Sequence, residues 1–347
     1  MELIQRIKSF VQLGEFLREY SNGDLESIRS EELEDIVIND RIYNPWFTEQ
    51  NIKDAIKAIG ESLSSEKLDQ WINKYPELNN QKKIRTIGVV TAGNIPLVGF
   101  HDFLTVLMSG NKFLGKLSSK DNRLLKFIVD FLIDYDNEFA NLIEFTEGKL
   151  ENFDGVIATG SNNTARYFEY YFGKYPHIIR KNRSSAAVLT GNETIEEIEL
   201  LANDIFSYFG LGCRNVSKLF IPADYSFDNF FENIVSYNHV YQHNKYANNY
   251  DYNKSVYLMN QIQHLDNGFV ILKDDEGLSS PIGVLFYQHY KNIEDVKQFL
   301  ELNEDKIQCV VSNEEVVKNT IPFGKAQQPE LWDYADNIDT MSFLLNL

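Results

Sequence analysis

Two glycines lead into a thiol in the stretch Phe209-Gly210-Leu211-Gly212-Cys213-Arg214-Asn215-Val216-Ser217-Lys218-Leu219-Phe220. Glycines beside a cysteine let the chain bend sharply and let a substrate come close without meeting a side chain. A thiol on such a turn can act as an exposed nucleophile, and Cys213 is the candidate for that role. The only other cysteine, Cys309, lies in the short apolar run Lys306-Ile307-Gln308-Cys309-Val310-Val311. A thiol inside a strand of that kind is expected to be an inert core residue.

Three other stretches place polar or glycine-rich turns after apolar runs: Thr91-Ala92-Gly93-Asn94-Ile95-Pro96, Lys116-Leu117-Ser118-Ser119-Lys120 and Thr159-Gly160-Ser161-Asn162-Asn163-Thr164. The third opens a helix over 165–171, whose amino end could hold a phosphate, although Gly-Ser at a helix start also serves as an ordinary cap. There is no G-x-G-x-x-G and no P-loop lysine, which disfavours an ordinary dinucleotide fingerprint and an NTPase. His239 and His243 are four apart, as metal ligands on one helix face would be, but no acidic or cysteine ligand accompanies them. No metal is expected.

The elements that must position these turns emerge from periodicity. Residues 1 to 80 read as helical and acidic, with apolar positions at helical spacing in Leu3, Ile4, Ile7, Phe10, Val11 and in Ile52, Ala55, Ile56, Ile59. This region is expected to cover one face of the domain after it, anchored by Tyr43-Asn44-Pro45-Trp46-Phe47, and to carry no chemistry. From Ile84 onward apolar runs alternate with helices: strands over 84–90, 112–117, 141–145 and 154–158, helices over 100–108 and 124–133. That alternation predicts a largely parallel, doubly wound α/β domain, which binds ligands at the carboxyl ends of its strands. A strand over 186–189 then precedes a helix with Thr194 and Glu197 placed as a capping box. Strands over 216–221, 269–272 and 284–287, helices over 227–240 and 296–302, and the strand holding Cys309 complete a second α/β domain. The expected organisation is 1–178 as helical segment plus cofactor domain, 179–325 as thiol-bearing catalytic domain, and 326–347 as a tail packing back on the body.

Composition bounds the function. The chain has 347 residues, enough for two cores, and a hydrophobic share of 43%, ordinary for a globular protein. A net charge of −18 makes nucleic acid or an anionic membrane surface an unsuitable partner. No run approaches the roughly 18 apolar residues of a membrane span, and the start, Met1-Glu2-Leu3-Ile4-Gln5-Arg6, has no secretory pattern. With two cysteines there is no disulfide framework, so a reducing, cytoplasmic location is expected.

Three ordered stretches resemble the aldehyde dehydrogenase superfamily: Asn94-Ile95-Pro96 is similar to its Asn-Phe-Pro element, Gly110-Asn111 running on to Lys116 and Ser118 to its Gly-Asn to Lys-Pro-Ser element, and the stretch from Gly210 to Cys213 to its thiol-bearing turn. Within it the chain most resembles the acyl-CoA reductase family typified by the reductase subunit of the bacterial bioluminescence fatty-acid reductase. That match runs through Cys213-Arg214-Asn215-Val216-Ser217-Lys218, Lys245-Tyr246-Ala247-Asn248-Asn249-Tyr250 and Gly324-Lys325-Ala326-Gln327-Gln328-Pro329-Glu330-Leu331 to Asp336. The resemblance implies two α/β domains of the aldehyde dehydrogenase type and NADPH-dependent reduction of an acyl thioester, with NADH as the alternative reductant. It implies Cys213 as nucleophile, Asn94 and the Cys213 N–H as oxyanion donors, and Lys116, Ser118, Gly160 and Ser161 on the cofactor. Ser118, Ser119 and Lys120 suit an extra 2′-phosphate, and the tyrosines from Tyr237 to Tyr257 could border an acyl channel.

One departure bears on the reaction. The superfamily's oxidising members carry Glu-Leu-Gly-Gly-Lys, whose glutamate helps water attack the acyl-enzyme; the matching stretch here, Arg180-Lys181-Asn182-Arg183-Ser184, has no carboxylate. The glutamate that positions nicotinamide ribose is not recognisable near Ser279-Ser280-Pro281-Ile282-Gly283 either. The alternatives are an aldehyde-oxidising member, disfavoured by the missing glutamate, and a non-catalytic partner of an acyltransferase or ligase. A homo-oligomer is compatible with the resemblance, its projecting elements reduced in a chain of this length.

Overall fold

The computed structural model describes residues 1–24, 27–79, 83–312 and 320–347. Four helices come first, α1 (Leu3–Asn22), α2 (Ile28–Asn39), α3 (Glu49–Ser62) and α4 (Ser65–Ile72). The chain then alternates: β1 (Thr86–Val90), α5 (Phe100–Met108), β2 (Lys112–Lys116), α6 (Arg123–Tyr135), β3 (Ile143–Phe145), β4 (Gly155–Thr159), α7 (Asn162–Phe172) and β5 (His177–Arg180). A second series comprises β6 (Ser184–Val188), α8 (Ile195–Phe206), β7 (Val216–Pro222), α9 (Asp228–Asn233), α10 (Asn244–Met259), β8 (Leu265–Asp266), β9 (Ile271–Asp274), β10 (Val284–Tyr290), α11 (Ile293–Leu302) and β11 (Ile307–Val311). α12 (Thr340–Leu345) closes the chain.

The chain forms two compact units, Met1–Lys181 with Glu330–Leu347, and Asn182–Pro329. In the first, five parallel strands run in the order β3-β2-β1-β4-β5. The chain winds outward from β1 through β2 to β3, then restarts on the other side with β4, so the connections part between β1 and β4. A doubly wound sheet opens its ligand crevice at that switch, outside the carboxyl ends of the strands. In the second unit the order is β11-β6-β7-β10-β9-β8, parallel except for the antiparallel edge pair β8–β9.

The first unit's core explains its helices. α1 buries Phe10, Leu13 and Leu17 along one stripe, and its Gly14 sits so close to α3 that an added Cβ would lie 2.6 Å from the Leu63 Cβ. α5 is apolar nearly all round and buried accordingly. The tail returns to this core through Leu331, Met341 and Leu344, and the fully buried Trp71 donates its indole N–H to Tyr334 Oη at 2.7 Å. Truncating a ring so placed costs about 3–5 kcal/mol.

Several sequence expectations shift in detail. The strand expected over 141–145 begins at Ile143, because 137–141 turn as a 3-10 helix. The helix expected over 227–240 is α9 alone, followed by a 3-10 helix over Val235–Gln242. His239 therefore lies on a 3-10 turn and His243 caps α10, so they do not share an α-helical face. The first compact unit runs through Lys181, and within it the buried Arg180 at the end of β5 pairs with Asp102 of α5 at 2.6 Å.

Candidate active site

The Asn94 turn leaves the carboxyl end of β1. Val90 at that end lies in register with Lys116 of β2 on one side and Ala158 of β4 on the other. Hence the turns of 91–98, 117–121 and 160–161 gather at one edge of the sheet, and five sequence candidates, Asn94, Lys116, Ser118, Gly160 and Ser161, come together there. The first two turns are stitched to each other. The Ser118 N–H donates to Thr91 Oγ1 at 3.2 Å, and a Cβ on Gly93 would lie 2.4 Å from Ser118 Oγ. Only glycine fits that approach.

Two side chains that sequence reading passed over brace this edge. Asn44, buried in the first 80 residues, donates from Nδ2 to the Gly93 carbonyl at 3.1 Å. Asp121 accepts the N–H groups of Leu97 and Val98, and Leu97 is held at φ 57. Burial pushes the Asp121 carboxyl up to about 7, and its Oδ1 has no hydrogen-bond partner among the described residues. So the amino-terminal region braces the Asn94 turn through a carboxamide that lies within its aromatic cluster. Of those rings Phe47 is core and Tyr43 is exposed, stacked under Arg123.

Lys116 Nζ donates to the Gly148 carbonyl at 2.7 Å. Ser161 is the N-cap of α7, its hydroxyl accepting the Thr164 N–H at 3.2 Å, and a Cβ on Gly160 would lie 3.0 Å from Thr164 and from Phe168. Ser118 is half-buried, while Ser119, Lys120 and Ser161 are exposed.

In the second unit, α8 begins with the Thr194–Glu197 capping box and ends just short of the thiol turn. Tyr208, Phe209 and Gly210 then take three successive left-handed conformations, φ 52, 58 and 75. Such a conformation costs about 1–3 kcal/mol at each non-glycine position and persists only where the surroundings impose it. Here Tyr208 is buried and the Phe209 ring lies 4.4 Å from that of His243. The chain then makes a tight turn, the Asn215 N–H donating to the Gly212 carbonyl at 3.1 Å, with Cys213 exposed at its tip. Ser185 Oγ donates to the Cys213 carbonyl at 2.9 Å and lies 3.1 Å from Cys309 Sγ. Cys309 is buried, and burial pushes its thiol up from the ordinary value.

The segments after Cys213 organise the rest of this unit. Asp204 of α8 is fully buried and accepts the Gly324 and Ala326 N–H groups at 2.7 and 3.0 Å, fixing the Gly-Lys-Ala stretch of the family resemblance; burial lifts its carboxyl to about 6. On β7, Ser217 Oγ donates to the Leu278 carbonyl at 2.7 Å and the buried Lys218 to the Asp275 carbonyl; burial lowers the Lys218 ammonium to about 8. Among the tyrosines of 237–257, Tyr246, Tyr250 and Tyr257 are buried core rings. Among the described residues no group of three or more His, Cys, Asp or Glu gathers as a metal site would, and no helix is long and apolar enough to cross a membrane.

Solved aldehyde dehydrogenases share this architecture. The NAD-dependent aldehyde dehydrogenase from Sinorhizobium meliloti matches with a TM-score of 0.65 at 10% identity, over 93% of this chain and 74% of its own. Aldehyde dehydrogenase 21 from Physcomitrella patens matches at 0.61 with 14% identity, over 98% and 87%. The indole-3-acetaldehyde dehydrogenase AldA of P. syringae, solved in complex with NAD+, matches at 0.63 with 10% identity, over 90% and 72%. The chain has the aldehyde dehydrogenase fold. Its sequence matches the family model of acyl-CoA reductase (LuxC) over residues 2–316, and the chain belongs to that family. No curated protein matches it.

Proposed function

We propose that this protein reduces an acyl thioester, a fatty acyl-CoA or an acyl group on a carrier protein, to the aldehyde with NADPH. The observation that carries the reading is an exposed Cys213 at the tip of a braced turn, in a chain of the acyl-CoA reductase family. In this reading the first unit binds the cofactor and the second carries the nucleophile.

The Cys213 thiolate attacks the thioester carbonyl carbon, forming a new C–S bond and an oxyanion. Collapse of that intermediate breaks the bond to the carrier sulfur, which leaves as a thiol after taking up a proton, and Cys213 is left acylated. Reduced nicotinamide, when bound, supplies the hydride for the acyl carbon. The resulting thiohemiacetal collapses to aldehyde and regenerates the Cys213 thiolate. Both stages pass through an oxyanion on the same carbon, and the Asn94 carboxamide and the Cys213 N–H are its donors. Fixed donors of this kind are worth about 2.7–4 kcal/mol each.

The first unit's sheet edge offers a donor set that fits a dinucleotide: the Lys116 ammonium, the Ser118 and Ser161 hydroxyls, and the amino end of α7 beyond Gly160. Ammonium and helix N–H groups suit phosphate, and hydroxyls suit ribose. The exposed Ser119 and Lys120 suit the extra 2′-phosphate that distinguishes NADPH from NADH. With no carboxylate in 180–184, and with Arg180 committed to Asp102 and to Thr340 Oγ1 at 2.9 Å, water has no base there to hydrolyse the acyl-enzyme. An acyltransferase or ligase that delivers the acyl group or removes the aldehyde is the fitting partner, and the reducing cytosol the fitting compartment.

The test is oxidation of NADPH and of NADH against short, medium and long acyl-CoA thioesters, with the aldehyde quantified. Stoichiometric aldehyde from the wild type and none from Cys213→Ala is the expected result. Turnover that survives in Cys213→Ala overturns the mechanism, and no turnover with any thioester overturns the activity.

A further inference from the structure

Asn215 is almost fully buried two residues beyond the thiol, and it holds Gly212 from both sides. Its main-chain N–H donates to the Gly212 carbonyl at 3.1 Å, and its side-chain Oδ1 accepts the Gly212 N–H at 2.8 Å. The Nδ2 group is anchored in turn, donating to the carbonyls of Ser207 at 2.8 Å, Asp204 at 3.0 Å and Ile205 at 3.4 Å. These are carbonyls that the end of α8 and the left-handed residues after it would otherwise leave without intrahelical partners. One carboxamide thus ties the thiol turn to the end of a helix.

The consequence falls on the peptide that joins Gly212 to Cys213. A trans peptide points its C=O and N–H in opposite directions. With the Gly212 carbonyl drawn into the turn by Asn215, the Cys213 N–H is aimed out of it. The next peptide is fixed as well, since the Cys213 carbonyl accepts the Ser185 hydroxyl. We propose that Asn215 is a positioning residue that aims the Cys213 N–H at the oxyanion by clamping Gly212. This inference rests on the thioester reading and adds to it a residue that touches neither substrate nor cofactor.

A main-chain donor cannot be deleted by substitution, but its aim can be. Displacing a reacting group by about 1 Å costs about 100-fold in rate. The discriminating comparison is between two reactions of the same sulfur. Acylation by a thioester builds up an oxyanion; alkylation by iodoacetamide is a displacement that builds up none. Loss of aim slows the first alone, whereas a merely loosened turn changes thiol exposure and moves both.

The experiment measures single-turnover acylation of Cys213 by octanoyl-CoA, and its alkylation by iodoacetamide, in the full-length wild type, Asn215→Ala and Asn215→Asp. Asn215→Ala is expected to lower the ratio of acylation to alkylation about 100-fold. Asn215→Asp keeps an acceptor for the Gly212 N–H but loses the Nδ2 donors to the three carbonyls, so its ratio falls less than that of Asn215→Ala while its melting temperature drops. Should Asn215→Ala be too unstable to purify, Asn215→Ser takes its place with the same expected loss. An unchanged ratio in Asn215→Ala or its substitute overturns the proposal, and so does an equal loss in Asn215→Asp. A wild type that alkylates but never acylates with octanoyl-CoA or longer thioesters points instead to failure of the thioester reading.

Discussion

The two turns that carry the proposed oxyanion donors are built in opposite ways. The Asn94 turn is held by contacts drawn from far along the chain: Asn44 on the Gly93 carbonyl, Ser118 against Gly93, and Asp121 under Leu97 and Val98. The Cys213 turn is held chiefly by Asn215 and the carbonyls of Asp204, Ile205 and Ser207, all within a dozen residues. The donors differ in the same sense. A side-chain amide can rotate and needs its whole loop packed around it, whereas a main-chain N–H needs only its peptide plane fixed. A local clamp suffices for the second and not for the first.

That contrast sets the order of expected effects. Asn94→Ala removes a donor outright and should lower kcat by about 100- to 1,000-fold. KM for the thioester and the melting temperature should change little, as steady-state kinetics and calorimetry would record; a comparable loss in KM alone would make Asn94 a binding residue. Asn44→Ala leaves the half-buried Gly93 carbonyl without this bond. It should cost about 1–3 kcal/mol of stability, measured by urea unfolding, with a smaller fall in kcat than at Asn94 itself.

Each turn also rests beside a buried carboxyl raised by desolvation, Asp121 to about 7 and Asp204 to about 6. A carboxyl raised in the folded state binds its proton more tightly there than in the unfolded chain. Its stabilisation is complete below the ordinary value near 4 and is lost as pH rises through the folded value. Melting temperature should therefore decline from pH 4 toward pH 8, and Asp121→Asn should flatten the part of that decline reaching pH 7. Asp204→Asn should flatten only the part ending near pH 6; the reverse ordering would break the comparison. The smallest effect belongs to the second thiol. Cys309→Ala should cost less than about 1.5 kcal/mol and leave one alkylatable cysteine in the native protein, Cys213.

Much of this was legible in the sequence because buried parallel strands read as unbroken apolar runs. β1, β2, β7 and β10 fall where such runs occur, and the capping box at Thr194 marked the start of α8. The braces were not legible, for a physical reason. Asn215 looks like any polar turn residue until three carbonyls from the end of α8 are seen to converge on it. Asn44 and Asp121 acquire meaning only when folding brings β1's turn against them, and Ser185 meets Cys309 across 124 positions. The 3-10 run over Val235–Gln242 was missed because its apolar spacing fits an α-helix as well.

The most direct measurement is the intact mass of the protein after incubation with an acyl-CoA and no nicotinamide. The account predicts a gain of one acyl group, mapped to the peptide holding Cys213 and persisting for many turnover times because no carboxylate in 180–184 helps water attack it. An adduct on Cys309, an adduct that hydrolyses as fast as it forms, or no adduct with any chain length would contradict it.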